Sequence, residues 1–90
     1  MKLTSDDETL AENKVLILYV LNKAGKPLTN DILYKIVLAA ANMNYFYFQQ
    51  FTLDLIEVGY IFSFEKEGKT LYNITEKGQT TLDLTLDLLP

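Results

Sequence analysis

Apolar positions along the chain follow two different periods, and the change between them divides the sequence into elements. Residues 1–9 are polar and acidic, with Asp6, Asp7 and Glu8 adjacent. They read as a mobile lead-in whose charges favour the positive start of a following helix. The structured part is expected to begin near Leu10, giving one domain over residues 10–90. From Ala11 to Lys23 there is neither Gly nor Pro, and Ala24-Gly25 followed by Pro27 supplies a stop. This predicts a first helix. Its stretch Val15 to Leu21 is apolar on every face, so either the core wraps it or a partner does.

After an extended link at Pro27-Leu28, Thr29 or Asn30 can cap a second helix running from Asn30 to Ala41. There Ile32, Leu33, Ile36, Val37 and Ala40 recur at helical spacing, leaving Asp31, Lys35 and Ala39 to other faces. Asn42-Met43-Asn44 breaks the pattern and offers another cap. A third helix is then expected from Tyr45 to Val58, ended by Gly59. Beyond it the period becomes two: Tyr60 to Glu65 and Thr70 to Ile74 are rich in aromatic and β-branched residues, and Lys66-Glu67-Gly68-Lys69 between them is a turn. Thr75 caps a closing helix. In its tail Leu82, Leu84, Leu86 and Leu88 alternate with polar residues at strand spacing, but the hairpin offers no evident third strand, so helix is preferred.

The order helix, helix, helix, hairpin, helix places the chain in the α+β class. Together with Glu57-Val58-Gly59-Tyr60-Ile61 and Tyr72-x-Ile74-Thr75-x-x-Gly78, it resembles the winged helix-turn-helix regulators of bacteria such as the MarR and PadR families. The chain is also similar to an uncharacterised bacterial winged-helix family of unknown function, on Leu10-Ala11-Glu12-Asn13-Lys14, Pro27-Leu28-Thr29-Asn30, Met43-Asn44-Tyr45-Phe46 and Gln49-Gln50. That likeness implies a transcriptional regulator, with the chain as the amino-terminal half of a longer protein. It brings no inherited functional residues.

Composition then narrows the chemistry. The 90 residues are 49% hydrophobic with eleven aromatics, enough for one core without disulfide or metal. Cysteine and histidine are both absent, which removes thiol nucleophiles, imidazole bases and the usual transition-metal ligands. Glu65, Glu67 and Glu76 fall on the wing and a helix cap with no sign of a pocket, so no enzyme activity, metal or cofactor is expected. The longest apolar run is far shorter than the roughly 20 residues that span a bilayer; no membrane role and a cytoplasmic location are the expectation.

In a winged helix the third helix enters the major groove and the wing lies over the backbone. With Phe48, Phe51 and Leu55 inward, the outer face carries Phe46, Gln49, Gln50, Leu53 and Glu57, with Tyr47 and Asp54 at its edge. Asn44, Tyr45, Phe46, Tyr47, Gln49 and Gln50 are therefore the expected groove residues: a Gln amide can pair with adenine, and Phe46 can meet a thymine methyl. The same glutamines could equally be solvated surface. Lys35, Lys66 and Lys69 are the expected phosphate contacts, because residues 42–58 contain no lysine. The net charge is -4 and all eight basic residues are lysine, a balance that works against tight DNA binding by a monomer. Two readings stay open: a module that binds double-stranded DNA, and a protein-interaction or assembly module that uses outward Phe46 and Leu53. The aromatic run Tyr45 to Phe48 has no interleaved basic residues, so packing explains it better than base stacking. An excess of apolar surface on the first and last helices predicts a homodimer through Val15, Leu18, Tyr19, Leu84 and Leu88.

Overall fold

The helix that is apolar all round lies at the centre of the molecule. A computed structural model describes the backbone of residues 3–86 and the side chains of 12–86; Leu88 lies outside the described residues. Helix α1 spans Leu3–Ala24 and packs against every later layer: helix α2 (Asn30–Ala41), helix α3 (Tyr45–Glu57), strand β3 (Lys69–Ile74) and helix α4 (Glu76–Thr85). Val15, Ile17, Leu18 and Leu21 are buried, and Leu16, Tyr19 and Val20 are partly buried against the same core. The chain itself therefore covers four of these seven residues fully and the other three in part. α1 also begins seven residues before the expected start at Leu10, so the segment assigned to a lead-in has helical backbone from Leu3. Nothing in its sequence breaks a helix, and Asp6, Asp7 and Glu8 sit toward the positive helix end.

The remaining elements fall close to their expected bounds because their caps are read directly from side chains. Thr29 Oγ1 accepts from the Ile32 amide at 3.2 Å, Asn44 Oδ1 from the Tyr47 amide at 2.9 Å, and Thr75 Oγ1 from the Gly78 amide at 3.0 Å. Asn42 closes α2 in the left-handed conformation, with φ 53°. The α2 face departs from the expectation. Only Leu33 and Val37 are buried, whereas Ile32, Ile36 and Ala40 are exposed, because α2 meets α1 and the sheet along one narrow stripe. On α3 the inward set is Phe48, Phe51 and Leu55, as the spacing predicts, joined by Thr52.

The sheet has three strands, not two. Strand β1 (Leu28–Thr29) pairs antiparallel with β3, and β3 pairs with strand β2 (Ile61–Lys66), in the order β1-β3-β2. The link at Pro27-Leu28 thus supplies the third strand, placing Leu28 opposite Tyr72; two residues are too short a run to show a period. The wing turns at Glu67-Gly68, both at positive φ (53° and 77°), as a two-residue hairpin of the primed type requires.

The wing root explains the Tyr72-x-Ile74-Thr75-x-x-Gly78 motif. Thr75 Oγ1 donates to the Gly59 carbonyl at 2.7 Å, and the Thr75 amide donates to the Tyr60 carbonyl at 3.0 Å. Gly78 lies in the first turn of α4 close to that same carbonyl: a Cβ there would collide with Tyr60 O and come within 2.8 Å of Ile74 Cγ1. The end of α3, the root of β2 and the start of α4 are joined at this point. A backbone oxygen already held by a hydrogen bond cannot move aside cheaply. Gly78→Ala should therefore destabilise the fold by about 2 to 3 kcal/mol, read as a lower urea midpoint.

Candidate nucleic-acid interface

The expected groove residues lie together on the first two turns of α3, but they do not do the same job. Phe46 is 72% exposed, Tyr47 is also exposed, and their rings meet edge to face at 5.7 Å. Gln50 is exposed and donates to Asp54 Oδ1 at 3.2 Å. Asn44 is occupied as the helix cap. Tyr45 is exposed but anchored: its ring lies edge-on to Tyr34 at 4.9 Å and near Phe48, while its hydroxyl accepts from Asn30 Nδ2 at 2.8 Å.

Gln49 is only half-exposed, and its Nε2 donates to Asn30 Oδ1 at 2.8 Å. The same oxygen accepts from the Tyr72 hydroxyl at 2.9 Å. Asn30 therefore links the start of α2, the first half of α3 and the central strand of the wing sheet. Sequence spacing alone misses it, because Asn30 could equally serve as a cap; with Thr29 as the cap, the Asn30 amide is released for this role. Beside the network lies a polar cleft of about 320 Å³ between the wing tip and the starts of α2 and α3, where Tyr45, Gln49 and Tyr72 face Lys69 and Thr70.

Of the expected phosphate contacts, Lys66 and Lys69 face each other across the wing tip as the last pair of the hairpin register, both exposed. Lys69 lines the cleft, whereas Lys35 is exposed on α2 and does not. Carboxylates are mixed into this face. Asp31 lines the cleft, Glu65 accepts from the Thr70 hydroxyl at 2.6 Å, and Glu67 occupies the turn. On α3 itself the first carboxylate is Asp54, which pairs with Lys14 of α1 at 3.2 Å. Leu53 is 59% exposed, and Glu57 and Val58 are exposed beyond it. The outer face of α3 thus changes along its length: aromatic and amide-bearing at the start, aliphatic and acidic at the end.

The residues expected at a dimer contact separate in the same way. Val15 and Leu18 belong to the chain's own core at 6% and 1% exposure, and Tyr19 packs beside it. On α4, Leu82 faces the core, and Leu84 is 77% exposed. Helical rather than strand geometry puts these two leucines on different faces.

Burial pushes the Tyr72 phenol above its ordinary value of 10.0, against partial relief from the polar groups of Thr52 and Gln49. The folded state therefore favours the neutral phenol. In the unfolded chain Tyr72 ionises first, so the stability linked to it is present below about pH 10 and lost as pH rises through the higher folded value. Thermal melts across this alkaline range should fall more steeply for the wild type than for Tyr72→Phe.

Comparison with known proteins adds the fold and the family. The crystal structure of SSV1 F-93 superposes with a TM-score of 0.68 at 22% identity, covering 83% of this chain and 86% of that one. At that identity the likeness speaks for the winged-helix fold alone. No curated protein matches the sequence significantly. Residues 13–90 match a family described as Domain of unknown function (DUF4364), and the chain belongs to that family.

Proposed function

We propose that this chain is a DNA-binding module of a transcriptional regulator, with the first two turns of α3 in the major groove and the wing tip over the backbone. The observation that carries this reading is the placement of the wing beside the start of α3. The polar cleft sets Lys69 facing Tyr45 and Gln49, while Phe46, Tyr47 and Gln50 stand outward on a stretch of α3 that bears no carboxylate before Asp54. This is the end of a recognition helix from which base edges are read. The likeness of the wing-exit motif to MarR and PadR regulators points the same way. Roles divide by chemistry: Gln50 and Phe46 meet bases, and Lys66 and Lys69 meet phosphates. Asp31, Glu65 and Glu67 dilute the local positive potential, so binding is expected to be modest for one copy and strongly salt-dependent.

A second reading rests on a different observation. Phe46 and Leu53 are 72% and 59% exposed on one helical stripe with Glu57, and such a face also fits a protein partner. A selection against randomised duplex DNA at low and physiological salt separates the two readings. Enrichment of a sequence at either salt supports the module as a DNA reader, and the absence of any enrichment overturns that reading in favour of a protein partner.

Charge and sequence readout should separate in the variants. Lys66→Gln and Lys69→Gln are expected to weaken binding to all duplexes alike, each lowering the slope of log affinity against log salt by about 0.9. Gln50→Ala should instead lower the preference for the selected sequence by about 1 to 3 kcal/mol. Equilibrium titrations of selected and scrambled duplexes at several salt concentrations check both.

Two copies acting on a palindrome complete the reading, with recognition helices about 34 Å apart. Since Val15 and Leu18 are core residues and Tyr19 is partly buried, exposed Leu84 is the expected contact most open to test. Leu84→Glu should abolish a dimer in sedimentation while leaving the melting temperature within a few degrees of the wild type. An unchanged dimer would place the contact elsewhere.

A further inference from the structure

The Asn30 network does more than join three elements. Its two ends are the two parts that the DNA reading requires to be held at a fixed angle. Asn30 reaches Tyr45 and Gln49 on α3, and Tyr72 at the centre of the sheet, across sequence separations of 15, 19 and 42 residues. Among the described residues, no buried side-chain nitrogen or oxygen lacks a partner. Whatever part of this network is fully buried is therefore satisfied without a ligand. Gln49 is committed to it through one N–H and is half-covered, whereas Gln50 is exposed and holds only a surface contact to Asp54 that a base can displace. The two adjacent glutamines, equivalent on paper, stand in different environments.

We infer that Asn30 is a positioning residue that sets the wing against the recognition helix, with Gln49 acting through it, and that sequence discrimination by this pair of glutamines falls to Gln50. The inference rests on the DNA-binding reading for its specificity half, but its positioning half can be measured without DNA. The Asn30 carboxamide is well suited to this work: one oxygen collects donors from a helix and a strand, and the nitrogen on the same plane donates to the helix start. Removing it unpairs the half-buried Gln49 amide and the buried Tyr72 hydroxyl together.

The first measurement is amide hydrogen exchange of the DNA-free protein. Asn30→Ala should speed exchange of the β3 amides at 69–74 and of the first turn of α3 by about tenfold, with a smaller change in α1. Tyr72→Phe, which removes a single hydroxyl, should move the same amides in the same direction and serves if Asn30→Ala does not fold. Asn30→Asp keeps an oxygen for Gln49 and Tyr72 and should return exchange to near the wild-type rate. Unchanged β3 exchange in Tyr72→Phe and the foldable Asn30 variants, or no rescue by Asp, overturns the positioning role whatever the protein binds.

The second measurement is affinity for a selected and a scrambled duplex. Asn30→Ala and Gln49→Ala should each reduce the ratio of the two affinities by about tenfold, leave scrambled binding at low salt nearly unchanged, and combine with little further loss. Gln50→Ala should reduce the ratio by a similar factor and add to either. Additive Asn30 and Gln49 effects, or a Gln50→Ala ratio equal to the wild type, overturn the assignment. A wild type that binds no duplex refutes the DNA reading and, with it, the specificity half; the exchange experiment still decides the positioning half.

Discussion

Everything in this fold answers to the burial of α1. A helix whose residues from Val15 to Leu21 are apolar on all sides has no face to give to water, and each such side chain gains about 1.5 to 3 kcal/mol when fully covered. Ninety residues can cover it only by arranging α2, α3, α4 and the sheet around it. Once α3 must contribute Phe48, Phe51 and Leu55 to that wrapping, its opposite face is committed to the outside. That outer face is in this sense the remainder of a packing problem. Its position is set by the core, and its chemistry is left to the residues in between.

Burial alone does not fix angles, since apolar contacts are non-directional. Two polar clamps supply direction here, one at each end of α3. At the carboxy-terminal end, Thr75 bonds to the Gly59 and Tyr60 carbonyls while Gly78 lies against the latter, so the helix end, the wing root and α4 share one point. At the amino-terminal end, Asn30 holds Tyr45, Gln49 and Tyr72. Both clamps join residues far apart in sequence through groups whose geometry is narrow. The first leaves a local signature, because it forces a glycine three residues after a cap. The second leaves none.

That contrast also measures what could be read from the chain before its structure. The bounds of α2 and α3, the start of α4 and the wing were legible because Thr29, Asn44, Thr75 and the glycines act within a few residues of themselves, and the inward face of α3 followed from a 3.6-residue period; the start of α1, which no cap or breaker marks, was not. The three-stranded sheet was not legible, because Leu28-Thr29 is too short to carry a period and its partner lies more than forty residues away. Nor was the burial of Val15 and Leu18 within their own chain: an all-apolar helix demands cover, and the pattern cannot say whose. The outward turn of Ile32 and Ile36 escaped for a related reason, since α2 is apolar enough to pack on either side and the choice belongs to its neighbours. The difference between Gln49 and Gln50 depends on a residue nineteen positions upstream whose amide could equally have capped a helix.

The outer face of α3 also bears on how an acidic winged-helix chain could meet DNA on the proposed reading. Along the helix the charge is asymmetric. The first two turns have no ionised group and begin at the positive end of the helix dipole; the later turns bear Asp54 and Glu57. Asp54 is partly compensated by Lys14, so the carboxylate facing outward without such a partner among the described residues is Glu57, about 17 Å along the axis from Phe46 at 1.5 Å per residue. At physiological ionic strength that separation exceeds the screening length of about 8 Å. A duplex lying across the first two turns would feel the helix start and the mixed charges of the wing, where Lys66 and Lys69 stand beside Glu65, Glu67 and Asp31, more than the distant Glu57. A partner lying along the whole helix would feel both ends, and would need an apolar surface for Phe46 and Leu53 with a cation opposite Glu57. On the proposed reading, the acidic charge weighs more against a long contact along α3 than against a short, salt-sensitive footprint at its start, where the wing carboxylates leave little net positive charge and two copies would have to reinforce each other.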